Sequence, residues 1–306
     1  MIHIAVNIDY QYVEHCAVTL VSAFVNNPGE AFTVHVIADR LPEPDRQLLD
    51  ALCSQYQNEV VFHQPDMSML SGFTIRKFSK RISLATYYRC ILADILPVDV
   101  NRVLYLDCDI VVLDRLRPFW ETDLEGLGVA VVEDIGSDEA SRYAVLHYPM
   151  ELRYFNAGVL LINLEYWRQH NVTQACISYY RQYPERILFN DQDLLNSVLC
   201  HSRKYVDVRW NVQDGFYRRS LPADKRNEIG EALLRPAILH YTNRKPWSYD
   251  SQHPLRHEYD CYLALVPWRR RPAVMERAWN GLRRLCRLFP FYVGLRKPKY
   301  IRLNQH

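Results

Sequence analysis

Residues Val103 to Val112 read VLYLDCDIVV, an apolar run broken by two carboxylates, Asp107 and Asp109, and then apolar again. On an extended strand, side chains two residues apart point to the same side. Two carboxylates so placed can converge on one hard cation, which prefers oxygen ligands. Left unpaired they are costly to bury, so the pair needs a metal ion, partner charges or an exit into solvent. The plain alternative is a solvated turn at the end of a strand.

The elements that must position this pair alternate along the chain. Residues 2–8 read as a buried strand, 13–25 as a helix, 33–38 as a strand, 44–55 as a helix and 59–63 as a strand. Residues 83–95 read as a further helix, and 102–107 as the strand that delivers Asp107. This alternation predicts an α/β fold around a mainly parallel, doubly wound sheet. Open sheets of that kind bind ligands at the carboxyl ends of their strands, where Asp9 and Asp107 both fall. Later, 128–132, 159–164 and 237–240 read as strands, the last ending on His240, while 171–182 and 192–200 read as helices.

A chain of 306 residues can bury a full core. It contains no run of 18 uninterrupted apolar residues, so no membrane-spanning helix is expected. The first residues enter a strand pattern without a basic leader, and no secretion signal is expected. The eight cysteines are scattered, none in a CxxC pair, and read as reduced, mostly buried residues of a cytoplasmic protein.

Charge is uneven. Residues 255–306 carry 12 Lys and Arg against 3 Asp and Glu, a balance of +9, while the preceding residues carry 25 against 32, or −7. A basic end on an acidic body calls for an anionic partner. Pro254, Pro267 and Pro272 mark the boundary, giving a body of residues 1–253 and a C-terminal region of 254–306. Within that region Val274, Ala278, Leu282, Leu285 and Phe289 share one helical face and Arg277, Arg284 and Arg287 another. Trp268, Trp279, Phe291 and Tyr292 lie near Arg269–Arg271 and Arg296–Lys297. That composition suits a helix lying on an anionic membrane surface; the alternative is a body-packed helix with a solvated basic face. No nucleic-acid motif accompanies the charge, and no nucleic acid is expected as partner.

Six segments taken in order add up to a resemblance. They are Asn7–Tyr12 (NIDYQY), Arg81–Arg89 (RISLATYYR), Leu104–Asp109 (LYLDCD), Phe155–Leu164 (FNAGVLLINL), Asn190–Asn196 (NDQDLLN), and His240–Tyr241 followed by Lys245-Pro246-Trp247. With these the chain resembles the family 8 retaining glycosyltransferases, most nearly the bacterial lipopolysaccharide galactosyl- and glucosyltransferases, with glycogenin a distant relative. The resemblance implies a single GT-A type, Rossmann-like catalytic domain. It implies a cytoplasmic enzyme at the inner face of a bacterial membrane, moving galactose or glucose from a UDP-sugar to a glycan or lipid-linked saccharide such as lipopolysaccharide core.

The same resemblance implies roles. Asp107, Asp109 and His240 would hold a divalent ion, manganese or magnesium, which suits two carboxylates and an imidazole. Asp9 would accept from the uracil imide and Tyr12 stack on the base, against a helix N-cap for Asp9 and core packing for Tyr12. Lys245 would pair with the diphosphate, against an exposed loop lysine. Ile8, Cys108 and Ala157 fall at matching donor-binding positions. Arg89, Asp134, Asn156, Gln192 and Asp193 match positions that line the donor sugar, and a one-residue shift would exchange Asp134 for Glu133. Arg89 alternatively lies on a helix surface. The position matching a nucleophile is Gln192, with Asp193 nearby; because a carboxamide is a poor nucleophile, same-face attack is favoured over double displacement. Between Tyr241 and Lys245 the chain has Thr242-Asn243-Arg244, where the family commonly carries a glycine, and Asn243 is expected to take the left-handed backbone in its place. The competing functions are a catalytically silent UDP-sugar binder or scaffold and a nucleotidyltransferase. Against the latter, this chain lacks a Gly-rich basic phosphate loop after its first strand.

Overall fold

The computed structural model describes residues 1–75, 83–137, 139–268, 274–301 and 303, without the side chains of Val274, Glu276, Arg277 and Tyr292. Arg81 and Ile82 of the second motif, Arg269–Arg271, and the side chains of Val274, Arg277 and Tyr292 expected on the tail helix lie outside the described residues.

The first three strand–helix units fold as the pattern predicts. Strands β1 (Ile2–Asn7), β2 (Phe32–Ile37) and β3 (Glu59–His63) are parallel, and β4 (Arg102–Leu106) lies parallel on the other side of β1. The chain thus leaves β1 in one direction and returns on its far side. The crevice of such a sheet opens at that reversal, between the ends of β1 and β4. The large sheet is completed by β6 (Val129–Val131), β7 (Val159–Asn163) and β8 (Arg203–Tyr205), in the order β3-β2-β1-β4-β7-β6-β8. Strand β7 runs antiparallel to both β4 and β6, so the sheet is mixed but mainly parallel.

A second sheet of three strands, β5 (Ile110–Val112), β9 (Val212–Gln213) and β10 (Ile238–His240), is ordered β5-β10-β9. Strands β5, β8 and β9 are too short to show an alternation in sequence. Alternate residues of β1 and β4 point into two separate cores: Ile4, Val6, Leu104 and Leu106 pack toward helix Val13–Asn26, while Ala5, Val103 and Tyr105 pack toward helices Val172–Gln182 and Asp191–Leu199. Residues 83–95 form a 3-10 helix, Leu84–Ile91, continued by one turn of α-helix, rather than one regular helix.

Helix Val13–Asn26 satisfies the open edge of β5 with side chains, since a bare edge leaves backbone groups unpaired. Thr19 Oγ1 donates to Ile110 O (2.9 Å), Ser22 Oγ accepts from Val112 N (2.9 Å) and Asn26 Nδ2 donates to Val112 O (2.9 Å). The segment Asp107–Asp109 joins β4 to β5, at the point where the chain leaves one sheet for the other.

The boundary expected after residue 253 falls inside the core. Leu255, Tyr259, Val266 and Tyr300 are buried with the body, and Tyr259 and Tyr262 of helix Arg256–Leu263 bond His15 and Asn26 of the first helix, each at 2.6 Å. The region that stands apart is the helix Val274–Tyr292. Every cysteine is free, five of them buried. No described helix is long and apolar enough to cross a membrane.

Three histidines cross the first sheet as a hydrogen-bonded chain: His3 Nδ1 to His35 Nε2 at 3.0 Å, and His35 Nδ1 to His63 Nε2 at 2.9 Å. One proton per contact leaves all three neutral. Burial first, and the neighbouring His63 second, push His35 down to about 3; burial likewise pushes His15 and His253 to about 4. Such bases bind protons more readily when unfolded, so their stability is fully present above pH 6.5 and drains away as pH falls toward 3–4. We expect the unfolding free energy to fall from pH 6 to pH 4 by several kcal/mol in total, at ~1.4 kcal/mol per pKa unit, and the thermal midpoint to fall with it. The non-titrating His35→Gln variant should have a flatter profile over that range; an equal slope would remove His35 as its cause.

Candidate active site

Backbone pairing assembles the central group. In the antiparallel β5/β10 ladder Ile110 lies opposite His240, which sets His240 beside Asp109. In the β4/β7 ladder Leu106 lies opposite Val159, and the Asp107 amide donates to Gly158 O at 2.9 Å. The ligand atoms of Asp107, Asp109 and His240 all fall within 4.8 Å of one another. A Cβ on Gly158 would come 2.2 Å from His240 Cε1 and 2.7 Å from Asp107 Oδ2, so only glycine fits.

The protonation of His240 is determined by its outer partner. Its Nδ1 lies 2.9 Å from Asn211 Oδ1, an acceptor, and Asn211 Nδ2 donates to Asn156 Oδ1 at 2.9 Å. Nδ1 therefore donates to Asn211, which turns Nε2 toward the two carboxylates. Nε2 is 3.2 Å from Asp109 Oδ1 and 3.8 Å from Asp107 Oδ2. Asp109 Oδ1 is buried and has no hydrogen-bond donor among the described residues. Three ligand atoms converging on one point fit a cation, and the two-carboxylate, one-imidazole set suits a divalent ion of intermediate hardness.

Charge compensation comes from two further side chains, Lys245 and Arg89. Lys245 Nζ bonds Asp109 Oδ2 and the Tyr241 carbonyl (2.8 Å). Burial opposes the charge of Asp109, but the Lys245 ammonium holds its carboxyl well below the usual range; burial likewise opposes the lysine, and Asp109 outweighs it. Arg89, from the 3-10 helix, is buried rather than on a helix surface. It reaches Asp107 Oδ1 (2.7 Å), Asp191 Oδ2 (3.1 Å) and the Ala157 carbonyl (2.6 Å), and its guanidinium lies 4.5 Å from the Tyr105 ring. Burial pushes the Asp191 carboxyl up to about 6 even beside Arg89.

A network of amides lines the next layer. Gln192, in the first turn of helix Asp191–Leu199, accepts through Oε1 from the Ala157 amide (3.0 Å) and Asn156 Nδ2 (3.2 Å), and donates to Asp134 Oδ2 (3.3 Å). Asp134 is held by Arg142 (2.8 Å) and Asn156 (3.2 Å), whereas Glu133 pairs with Arg153 and Ser137. Asp134, not its neighbour, thus belongs to the network. The helix is preceded by Asn190 at φ 50°, ψ −124°, a costly backbone for a residue with a side chain and one of a kind that recurs at ligand sites.

The cleft at the sheet reversal holds about 1160 Å³ and is lined by Asp9, Tyr12, Arg89, Asp107, Cys108, Asp109, Asn156, Gln192, His240 and Lys245 among others. Asp9 accepts from the Gln11 amide (2.9 Å), forming a turn; it does not cap the helix. Tyr12 meets Trp247 edge-on (6.3 Å), and Trp247 stacks on His15 (3.6 Å). Four expected residues stay behind the wall. Ile8 is core, Ala157 contributes backbone, and Asp134 reaches the cleft only through Asn156 and Gln192. Asp193 is buried, accepting from Tyr154 Oη and the Leu188 and Phe189 amides, each at 2.6 Å. Its carboxylate braces the 188–189 loop.

Sequence reading missed Asp191, Asn211 and Asp214. Asp191 sits inside a quoted motif beside Gln192, a signal that was there to be used. Asp214 governs the unusual spacer: its carboxylate bonds Thr242 Oγ1, Asn243 Nδ2 (3.0 Å) and Tyr300 Oη (2.8 Å). Asn243 does not adopt the expected left-handed backbone; no spacer residue has positive φ. Side-chain bonds to Asp214 shape the turn that a glycine was expected to make.

The model of glycosyl transferase family 8 matches residues 3–251. General stress protein A of Bacillus subtilis is 29% identical over 88% of this chain and 95% of its own. The lipopolysaccharide 1,3-galactosyltransferase of Salmonella typhimurium is 28% identical over 87% of this chain and 79% of its own. The crystal structure of galactosyltransferase LgtC, solved with donor and acceptor sugar analogues, superposes with a TM-score of 0.78 at 25% identity, covering 90% of this chain and 99% of that one. Both sheets, the cleft and the clustered acids are therefore those of a GT-A fold, and the chain belongs to glycosyl transferase family 8.

Proposed function

We propose that the protein is a retaining, divalent-metal-dependent hexosyltransferase that moves galactose or glucose from a UDP-sugar to a glycan, a lipopolysaccharide core or related surface saccharide. The observation that carries this reading is the convergence of Asp107, Asp109 and His240, whose ligand atoms all lie within 4.8 Å of one another at the mouth of the cleft. A divalent ion held there by Asp107, Asp109 and His240 supplies Lewis-acid neutralisation of the diphosphate leaving group. Lys245 adds a point charge to the same diphosphate, and Asp9 with Tyr12 holds the uracil end. The relatives named for lipopolysaccharide transfer support the acceptor class.

The residues favour attack on the same face as the departing phosphate. Gln192 Oε1 already accepts two hydrogen bonds, and a carboxamide is a weak nucleophile. Asp193 is consumed by three donors and shielded from the cleft. With no free carboxylate from these two, the leaving phosphate takes the acceptor's proton and Gln192 orients the sugar through Asn156 and Asp134.

The tail supports a peripheral site on the cytoplasmic face of an anionic membrane. Helix Val274–Tyr292 exposes Met275, Trp279, Leu282, Leu285 and Phe289, flanked by Arg283 and Arg287. Its orientation is fixed from behind: Leu288 is buried, and Arg284, expected on the solvated basic face, instead donates to the Tyr249 and Ser251 carbonyls (2.9 and 3.1 Å). An amphipathic helix with this outward face suits lipid headgroups and acyl boundary.

Asp109→Asn should lower manganese-dependent UDP release by at least about 100-fold, because several kcal/mol of charge stabilisation is lost. UDP release undiminished in that variant, or insensitive to EDTA, would overturn the metal reading. UDP binding without turnover of any hexose donor and glycan acceptor would instead favour a silent binder. Asn211→Ala removes the acceptor that fixes the His240 tautomer and should weaken manganese affinity roughly 10- to 100-fold, with Asn211→Asp recovering most of it. Trp279→Ser/Leu282→Ser/Phe289→Ser should lose binding to phosphatidylglycerol vesicles while keeping UDP affinity; vesicle binding as strong as in the parent chain would remove the membrane assignment. These exposed positions make a cleaner test than truncation, which would also strip buried Tyr300 from Asp214.

A further inference from the structure

A second, smaller pocket of about 230 Å³ opens where the C-terminal strap crosses the body beside the cleft. Four cations line it, Arg244, Arg287, Arg296 and Lys299, together with Asp250 and the ring of Tyr300. Asp250 is already paired with Arg244 (3.4 Å). The nearby Asp214 carboxylate is taken by Thr242, Asn243 and Tyr300. Arg287, Arg296 and Lys299 have no carboxylate partner among the described residues.

The strap that brings these charges together is anchored, not loose. Arg219 N donates to Lys299 O (3.0 Å), Ile301 N donates to Tyr217 O (2.9 Å), and Arg218 bridges Tyr300. Tyr300 is buried, and its hydroxyl reaches Asp214. Lys299 is thereby held near like charges; burial, then Arg218, lowers its proton affinity, Asp214 opposes this in part, and Arg244 adds to the repulsion. A fold that fixes four cations around one committed acid has built a place for an anion.

Neighbouring residues divide the two anion sites. Lys245 turns to Asp109 and the cleft, while Arg244 lines both the cleft and the second pocket. An occupant of the second pocket is thus joined to the transfer site through the Arg244–Asp250 pair, both of which line the cleft as well. It does not compete for the Lys245 position.

We propose that this pocket is a phosphate subsite for the acceptor: it binds a phosphomonoester carried by the saccharide that receives the sugar, through Arg244, Arg287, Arg296 and Lys299. The proposal rests on the transfer reading above. A phosphomonoester matches the uncompensated charge better than a carboxylate, and its oxygens suit the planar forks of arginine. The same chemistry could be offered by a lipid headgroup, and the two sources separate by experiment.

The test uses the full chain at physiological salt. Calorimetry would compare lactose phosphate with lactose on the parent protein, on Arg296→Gln/Lys299→Gln, and on the milder Arg296→Gln, with binding of UDP and manganese read on the same samples. We expect lactose phosphate to bind at least about tenfold more tightly than lactose, the double variant to abolish that preference, and the single variant to reduce it. UDP affinity should stay unchanged in both variants. Equal binding of the two disaccharides by the parent chain overturns the proposal, as does a preference that survives the double variant. Vesicle binding lost in the variant without any preference for lactose phosphate would assign the pocket to lipid headgroups instead. Failure of the parent chain to bind UDP would strike the transfer reading separately, since the phosphate preference is measured without it.

Discussion

Asp109 Oδ1 and His240 Nε2 face each other across 3.2 Å, with Asn211 holding the other imidazole nitrogen from behind. That contact, beside a second carboxylate at Asp107, is the constraint on which the rest of the site depends. Partly buried negative charge is expensive unless it is paired. Lys245 and Arg89 come from two distant stretches of chain to pair it, and each is also held by a backbone carbonyl. Gly158 is the steric counterpart, leaving room where any side chain would collide with His240.

The amide network extends this order to the place where a sugar would lie. Asn156 is its hub, accepting from Asn211 and the Gly158 amide and donating to Asp134 and Gln192. The His240 tautomer and the Gln192 orientation are therefore linked through one side chain. Such polar networks rigidify when every member is satisfied. Beside this network, Asp109 Oδ1 is buried without a hydrogen-bond donor among the described residues.

The C-terminal region is two things in one stretch. Residues 255–268 and the strap around Tyr300 are part of the core, and through Asp214 the strap helps shape the spacer between the imidazole and Lys245. The helix between them turns its apolar side outward. The region's charge and amphipathic pattern are thus properties of an appendage whose two ends are built into the body.

Periodicity and motif order alone determined a good deal: seven strands, the doubly wound start, the acid pair at a strand end and the family resemblance all come from local signals, because burial pattern and spacing are written in consecutive residues. Tertiary structure decided what those residues do to one another. The short strands β5, β8 and β9 have too few residues to declare a period, yet β5 and β10 set His240 against Asp109 through their register. Asp193 and Gln192 look equally chemical as letters; only packing shows one carboxylate saturated by Tyr154 and two amides, and the other side chain facing the cleft. Asn211 and Asp214 carry no motif of their own. Their roles arise from partners 29 and 28 residues away, His240 and Thr242, and contacts at that distance exist only once the chain has folded.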